Sequence, residues 1–380
     1  MNWRNTQIML ILGTVLIAAC TETGEPLSET ENELSGGDVA TPRTGARVMT
    51  QNMYVGLDVL PLAFSSFEDL PFAAATAFDN FEANRPFDRI LRIAEEIALT
   101  GPDLVALQEV TRIYEQFPSD TMTGNFEPNA TDPVIDYLAV LIWDLAVLGA
   151  PYEVAIEQPG ADIELPRFDG EVDGEPVFSD VRAKFSDVIL RRRGVQTAPL
   201  FGINYTARLP FPPIPGAVVP RNAVAVTAQL NGETVRVVST HLEVIIDVLP
   251  PEAQPQFAQV AELITALNGI GPNLPTIVLG DFNSPAPNGP TYQLMTAAGF
   301  TDVWTRAGTA VPGLSCCQAE VLTNPESELF ERIDFVWTKN MTLHEPVVAF
   351  TVGDSDTFRT ASQPRLWPSD HAGVIAPLRF

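Results

Sequence analysis

Positive charge is scarce in this chain. Lys and Arg number 22 against 48 Asp and Glu, for a formal charge of −26. That balance argues against loose, sequence-independent binding along a nucleic-acid backbone, which needs cations to neutralise phosphates. Arg191, Arg192 and Arg193 form the one tight basic run, so a local basic cleft stays open. Cysteine is rarer still, with three residues. Cys316 and Cys317 are adjacent, and two neighbouring thiols with nothing nearby in sequence do not complete a zinc set. They read as a vicinal disulfide or as an ordinary loop pair. A membrane-spanning run is lacking too. Ile8 to Ala19 is apolar, but it falls well short of the roughly 20 residues needed to cross a bilayer. What is plentiful is hydrophobic: 46% of residues against 18% charged, enough for a sizeable buried core and against global disorder. The length suits one large domain or two ordinary ones. The 33 prolines suggest long, stiff surface loops around a regular scaffold.

The N-terminus reads as an address. Arg4 precedes the apolar run, which ends in Leu16-Ile17-Ala18-Ala19-Cys20. This resembles the bacterial lipobox, in which the cysteine is lipidated and becomes the new N-terminus; a plain cleaved signal peptide is the other reading. Residues 1–20 are therefore expected to be a signal segment, with Cys20 lipidated. Residues 21–45, rich in Thr, Glu, Ser and Gly, are expected to be a flexible tether. Thr21, in place of Asp, points to the outer membrane, or more broadly to the cell surface or periplasm.

From residue 46 onward strand-like and helix-like segments alternate. Arg47 to Gln51, Asp103 to Leu107, Tyr152 to Ile156, Asp187 to Leu190, Thr276 to Leu279, Ile333 to Thr338, Val347 to Phe350 and Val374 to Leu378 read as strands. Asn222 to Leu230 and Thr234 to Thr240 flank Asn231-Gly232, the strongest hairpin signal in the chain. Helices are expected at Pro86 to Leu99, at Val134 to Leu148 (apolar nearly all round and so deeply packed), at Gln256 to Leu267 and at Thr291 to Ala298. Hairpins mixed with helical crossovers argue for an α/β fold of mixed sheets with helices outside. Three insertions interrupt the pattern and could border a cleft: apolar Leu57 to Asn84, acidic Glu157 to Asp180, and proline-rich Ala207 to Pro220.

Polar residues recur where apolar strands end, the place a sheet scaffold puts chemistry. Gly280-Asp281-Phe282-Asn283 follows one strand; its Asp and Asn on a tight turn can orient a water and hold a phosphoryl oxygen. Ser369-Asp370-His371 leads into the last strand. Asp334, in Arg332-Ile333-Asp334, is a carboxylate able to fix the tautomer of His371 and raise its basicity. Glu109, His241 and Asn52 each close a strand. Each alone is weak, since an Asx turn or a structural His explains it as well. His344 stands outside the series and reads as a surface or packing residue.

Taken in order, Thr50-Gln51-Asn52, Leu107-Gln108-Glu109, Ser239-Thr240-His241-Leu242, Gly280-Asp281-Phe282-Asn283, Arg332-Ile333-Asp334 and Ser369-Asp370-His371 resemble the endonuclease/exonuclease/phosphatase superfamily over about Arg47 to the C-terminus. The resemblance implies a DNase I-like, four-layer α/β sandwich over residues 46–380: two packed mixed β-sheets with helices outside. It implies a metal-dependent hydrolase of phosphoesters, foremost phosphodiesters. Glu109 would bind the metal, with Asn52 and Asp370 contributing to the metal or phosphate environment. Such oxygen ligands suit Mg²⁺, with Mn²⁺ or Ca²⁺ possible, and do not suit Zn²⁺. His371 with Asp334 would activate water, or bind phosphate while Asp281 orients the nucleophile; Asn283 would hold a phosphoryl oxygen. The Ser-Thr-His-Leu form of the His241 motif resembles the DNase I, sphingomyelinase and inositol-phosphatase branches, where the His acts as general acid or binds phosphate. No carboxylate that orients His241 is identifiable. Arg221 resembles a phosphate-contacting Arg, and a structural salt bridge explains it equally. The substrate is open among nucleic acid, phospholipid headgroup (a sphingomyelinase-like phospholipase) and small phosphoester (an inositol phosphatase). A catalytically inactive surface lipoprotein is the non-enzymatic alternative, and a monomer is expected.

Overall fold

The computed structural model describes residues 45–380 except Asp58, Asp247, Val248, Pro251 and Glu252. The signal segment 1–20, Cys20 and the tether up to residue 44 lie outside the described residues. Strand β1 (Ala46–Asn52) leads through α1 (Leu60–Ala63) and α2 (Leu70–Ala83) to α3 (Pro86–Thr100) and β2 (Leu104–Gln116). Next come β3 (Asp132–Asp136), α4 (Tyr137–Val147), the hairpin of β4 (Tyr152–Val172) and β5 (Glu175–Arg192), then β6 (Thr197–Asn204). A short ribbon, β7 (Leu209–Pro210) with β8 (Val218–Val219), precedes the hairpin β9 (Asn222–Leu230) and β10 (Glu233–His241). Helix α5 (Pro255–Gly269) crosses to β11 (Thr276–Asp281). The chain ends with α6 (Pro290–Ala297), β12 (Thr301–Asp302), α7 (Val303–Ala307), β13 (Asp334–Lys339), β14 (Phe350–Val352) and β15 (Gly373–Leu378).

One sheet runs β14-β15-β1-β2-β5-β4, with β3 on β2; the other runs β12-β13-β11-β10-β9-β6. Strand alternation decides the layers. Val48 of β1 and Val237, Ile277 and Leu279 of β10 and β11 share one core, so the sheets face each other. Their neighbours point outward: Met49 packs with Ile90, Ile93 and Ile97 of α3 and with Leu141 of α4. Val238 and Val278 pack with Val260 and Leu263 of α5 and Met295 of α6. The expected four-layer α/β sandwich is the observed one.

Four local expectations need correction. The helix expected from Val134 starts at Tyr137; Asp132–Asp136 pairs with β2 instead, and the Asp136 carboxylate caps the helix by accepting from the Ala139 N–H at 3.0 Å. Nor is α4 buried all round: Tyr137, Leu138, Leu141 and Leu145 pack inward, while Trp143 and Val147 are exposed. The acidic insertion is the body of the β4–β5 hairpin. Its turn is Asp173-Gly174, both at positive φ, as a two-residue hairpin requires. Its charges are consumed across the strands, Asp162 by Arg182 at 2.6 Å, while Glu164 accepts the Asn129 and Ala130 N–H groups at 2.7 Å each. Insertion 57–84 carries α1 and α2, and the strand expected at Val347 begins at Phe350.

Glu96 on α3 is a testable anomaly. It is buried with neither carboxylate oxygen hydrogen-bonded, and burial pushes its pKa up to about 8. The folded state therefore holds a proton that the unfolded chain releases at ordinary carboxylate pH. Stability is greatest below the unfolded value and declines by up to ~1.4 kcal/mol per pH unit as pH rises toward 8. Glu96→Gln should flatten that decline, raising the melting temperature above wild type at pH 8.5 with little change at pH 5. Parallel pH–melting curves for both proteins would rule out a protonated Glu96.

Candidate active site at the strand ends

Strand register brings the polar ends together. β1 and β2 are parallel, with Asn52 opposite Gln108; β10 and β11 are parallel, with His241 opposite Asp281; Asp334 opens β13 opposite Asp281. Glu109 reaches the same place through a bulge in β2, where the pairing with β5 shifts between Leu107 and Val110. The bulge puts Glu109 at φ 55°, a backbone state uncommon for non-glycine residues that turns its side chain out of the ladder. Gly280, at φ +151°, allows the close approach of β11 to β10: a Cβ there would stand 1.9 Å from the Thr240 carbonyl oxygen.

Asn52 is the hub. Its Nδ2 donates to Glu109 Oε1 and to Asp281 Oδ2, 3.2 Å each, while its Oδ1 accepts the Tyr54 N–H at 2.9 Å. The amide nitrogen, not the oxygen, thus faces the carboxylates. Glu109 Oε2 accepts the Val55 N–H at 3.0 Å. Asp281 Oδ1 accepts the Asn283 N–H at 2.8 Å, and its Oδ2 lies 3.4 Å from His241 Nε2 and 3.7 Å from His371 Nε2. His371 Nδ1 meets Asp334 Oδ2 at 2.8 Å, and Asp370 Oδ1 lies 3.9 Å from His371 Nε2. Asp281, Asp334 and His371 offer three ligand atoms within 4.8 Å of one another.

The charges distort one another. Burial and the charge of Asp334 push Asp281 up to about 7, against the pull of His371, the Asn283 N–H and Asn52. Burial raises Asp370 to about 6; His371 opposes this and Glu109 adds to it. For His371, burial alone would depress the pKa, but Asp334, Asp370 and Asp281 together raise it well above the ordinary value. His241 goes the other way, held well below by burial, Arg221 and His371. Carboxylates this crowded want a cation among them. The buried Asp334 Oδ1 has no hydrogen-bond partner, and the available donors are hard oxygens. The residues thus fit a divalent ion of the Mg²⁺ type.

Glu109, Arg221, His241, Asp281, Asn283, Asp370 and His371 line one cavity, with Asn52 bonded to Glu109 and Asp281 and with Asp334 directly behind His371. Arg221 grips Glu243 with two hydrogen bonds, at 3.1 and 3.2 Å, and sets its Nη1 3.0 Å from His241 Nδ1. The same Nη1 lies 3.3 Å from His241 Nε2, which also stands 3.2 Å from Asn283 Nδ2 and 3.4 Å from Asp281 Oδ2, so an arginine, an amide and a carboxylate together surround the ring. Asn283 Nδ2 donates to the Leu242 carbonyl at 2.8 Å. The triple-arginine run is elsewhere. Arg191 pairs with Leu104 at the opposite end of β2 and ion-pairs with Glu153, and Arg192 pairs with Asp103.

Three contributors have no sequence signature. Asp187 is buried in the cavity wall with its pKa raised well above normal by burial, against the pull of Arg221. Glu243 is identifiable only as the acid two residues past His241. Arg89, fully buried on α3, donates to the carbonyls of Met53, Tyr54 and Pro368 at 3.0–3.1 Å, tying the loop after β1 to the segment before Asp370. Cys316 and Cys317 form a disulfide at the rim. A histidine that sequence spacing hides does stand beside them: both sulfurs and a His371 ring nitrogen lie within 4.8 Å of one another. The sulfurs, bonded to each other, offer no thiolates.

A four-layer sandwich with acids, amides and histidines gathered at its strand ends is the architecture of a phosphoester hydrolase. The chain belongs to the Endonuclease/Exonuclease/phosphatase family, whose profile matches residues 49–371. Members hydrolyse phosphoester bonds and depend on a metal ion. Among solved structures it is similar to an endonuclease/exonuclease/phosphatase family protein from Leptotrichia buccalis (15% identity, 88% of this chain and 100% of that one, TM-score 0.52). It is also similar to a mannosyl-6-phosphatase from Bacteroides thetaiotaomicron VPI-5482 (17% identity, 88% and 100%, TM-score 0.51). A further family protein from Bacteroides thetaiotaomicron gives 17% identity, 88% and 97%, and a TM-score of 0.51. At these identities the likeness bears on the fold. No curated protein matches the chain significantly.

Because the Gly280 clash is with backbone, no side-chain movement relieves it. Gly280→Ala should destabilise the fold by ~3 kcal/mol or more, measured as a lowered urea midpoint. An unchanged midpoint would contradict the close approach of β10 and β11.

Proposed function

We propose that the chain is an exported phosphodiester hydrolase that works with Mg²⁺, Mn²⁺ or Ca²⁺. The observation that carries this reading is the meeting of Asp334, His371 and Asp281 beside Glu109 and Asp370. Asp334 holds His371 Nδ1, so Nε2 points into the cavity toward Asp281 Oδ2, 3.7 Å away. A water held between these two groups has a carboxylate to accept its proton and an imidazole to steady the phosphoryl oxygen. Glu109 and Asp370 would hold the metal, which when bound polarises a phosphoryl oxygen. Asn52, with its nitrogen turned to Glu109 and Asp281, suits positioning those carboxylates and contacting phosphate better than ligating the ion. His241 is neutral in its buried setting and is a poor source of a proton, so binding phosphate suits it better than acting as a general acid. Asn283 would contact a phosphoryl oxygen. Arg221 would act through His241 and by its charge.

The same proposal includes delivery by a lipid on Cys20, supported by the Leu-Ile-Ala-Ala-Cys ending of the apolar run. Cys20→Ser should move the protein from the membrane fraction to the soluble fraction of its host. A wild-type protein that is already soluble would end the lipoprotein reading.

The enzymatic reading is tested with bis-p-nitrophenyl phosphate. Turnover should vanish with EDTA and return with Mg²⁺. His371→Ala and Asp334→Asn should each lower kcat by roughly 10²- to 10⁴-fold. Glu109→Gln should weaken the rise in melting temperature that Mg²⁺ produces in the wild type. Wild-type rates in His371→Ala, or turnover indifferent to EDTA, would overturn it.

A further inference from the structure

The cavity that holds the acidic cluster does not end there. It extends between the three insertions, and the whole cavity, acidic cluster included, measures about 500 Å³. Leu62 and Phe78 come from α1 and α2, Ile163 and Leu165 from β4, and Phe211 and Val219 from the β7–β8 ribbon. These walls are built rather than loosely closed. Leu62, Phe211, Leu70 and Ile214 form a buried cluster of their own, with Ile163, Leu165 and Val219 packed against it. The insertions bring only apolar residues and Gly160 to this lining, and Arg221 is the one Lys or Arg among the described lining residues, already gripped by Glu243. A nucleic-acid strand would bring further phosphates that find no cation here. A sugar would bring hydroxyls that find few partners on apolar walls. An apolar substituent suits the chamber and leaves its scissile phosphate at the acidic end.

We propose that the substrate is an amphiphilic phosphoester. Its aliphatic chain lies between α2, the β4–β5 hairpin and the β7–β8 ribbon, and its phosphate lies at Asp281 and His371. The inference rests on the proposed hydrolysis at the acidic site and adds a chain-binding subsite to it. A free amphiphile and a membrane lipid share this chemistry, and the lipid-anchored delivery proposed above would suit the second.

The test is a series of p-nitrophenyl alkyl phosphates from methyl to dodecyl, each kept below its micelle-forming concentration. Alongside it, the dodecyl ester is presented in phosphatidylcholine vesicles. Each methylene seated in the chamber should raise kcat/KM by up to roughly four-fold, for at least ~100-fold across the series. Ile163→Asn and Leu165→Asn, at half-buried wall positions, should cut the dodecyl-to-methyl ratio of kcat/KM by ~10-fold or more. A ratio is insensitive to partial loss of folded protein, and melting curves identify any variant that fails to fold. Preference for the monomeric long ester assigns a free amphiphile, and preference only in vesicles assigns a membrane lipid. A methyl ester turned over as well as the dodecyl ester in both arms overturns the chain subsite and leaves the hydrolase standing. If no ester is turned over, the hydrolase reading falls. The subsite is then judged by calorimetry, where dodecylphosphonate binding no tighter than methylphosphonate overturns it as well.

Discussion

Everything at this site depends on holding like charges together against their repulsion. Glu109, Asp187, Asp281, Asp334 and Asp370 crowd around one end of the sandwich, and burial strengthens every interaction among them. Side-chain contacts alone would not assemble such a group. Strand pairing does, because the ladder places His241, Asp281 and Asp334 on adjacent strands whether or not their charges agree. The cost shows in the raised pKa values of Asp281 and Asp370. The three cores, between the sheets and on their two outer faces, supply the apolar burial that offsets it. A divalent cation held by Glu109 and Asp370 would lower that cost.

The scaffold and the insertions divide the work. The two sheets contribute the acid, amide and histidine side chains at their strand ends. The segments outside that frame, α1 with α2, the outer half of the β4–β5 hairpin and the β7–β8 ribbon, contribute almost only apolar surface to the cavity. Charged residues of the hairpin are paired instead, Arg182 with Asp162, and Arg167 with Asp169 and with Glu115 of β2. Among the described residues, the insertions therefore add no charged side chain to the cavity lining, although the full chain is strongly acidic. Composition alone could not make that distinction, since it counts charges without placing them.

The strand-end residues were legible because each closes an apolar run, and because six such runs occur in a recognisable order. The layers followed from the same alternation. The rest was hidden for specific physical reasons. Asp187 sits in a strand with no punctuation, and only its burial against Arg221 and Glu109 marks it. Glu243 gains its meaning from Arg221, which reaches it across the β9–β10 pair. Within the acidic insertion 157–180 the hairpin is hidden by composition, although Asp173-Gly174 carries the turn signal, and cross-strand ion pairs such as Arg182–Asp162 join its strands. The start of α4 was obscured because apolar Val134 and Ile135 pair with β2 instead of continuing the helix. The partners of His241 are scattered over the sequence, Arg221 ahead of β9 and Asp281 with Asn283 at the end of β11, and only strand pairing brings them together.

A single short segment joins the two halves of the His371–Asp334 pair, which stand 37 residues apart in sequence. Ser315 Oγ accepts the N–H groups of Ile333 and Asp334 at 3.1 Å, while its carbonyl accepts the Ala372 N–H at 2.8 Å. Cys316 bridges both Glu331 and His371 through its backbone, and the Gln318 N–H reaches the Asp370 carbonyl at 2.9 Å. Residues 315–318 thus lie as a strut between the start of β13 and the approach to β15. The Cys316–Cys317 disulfide sits in the middle of that strut. It links two consecutive residues of a segment that bonds to the flanks of both Asp334 and His371. A cysteine pair that completes no zinc set and builds no scaffold still has a physical reason to stand where it does.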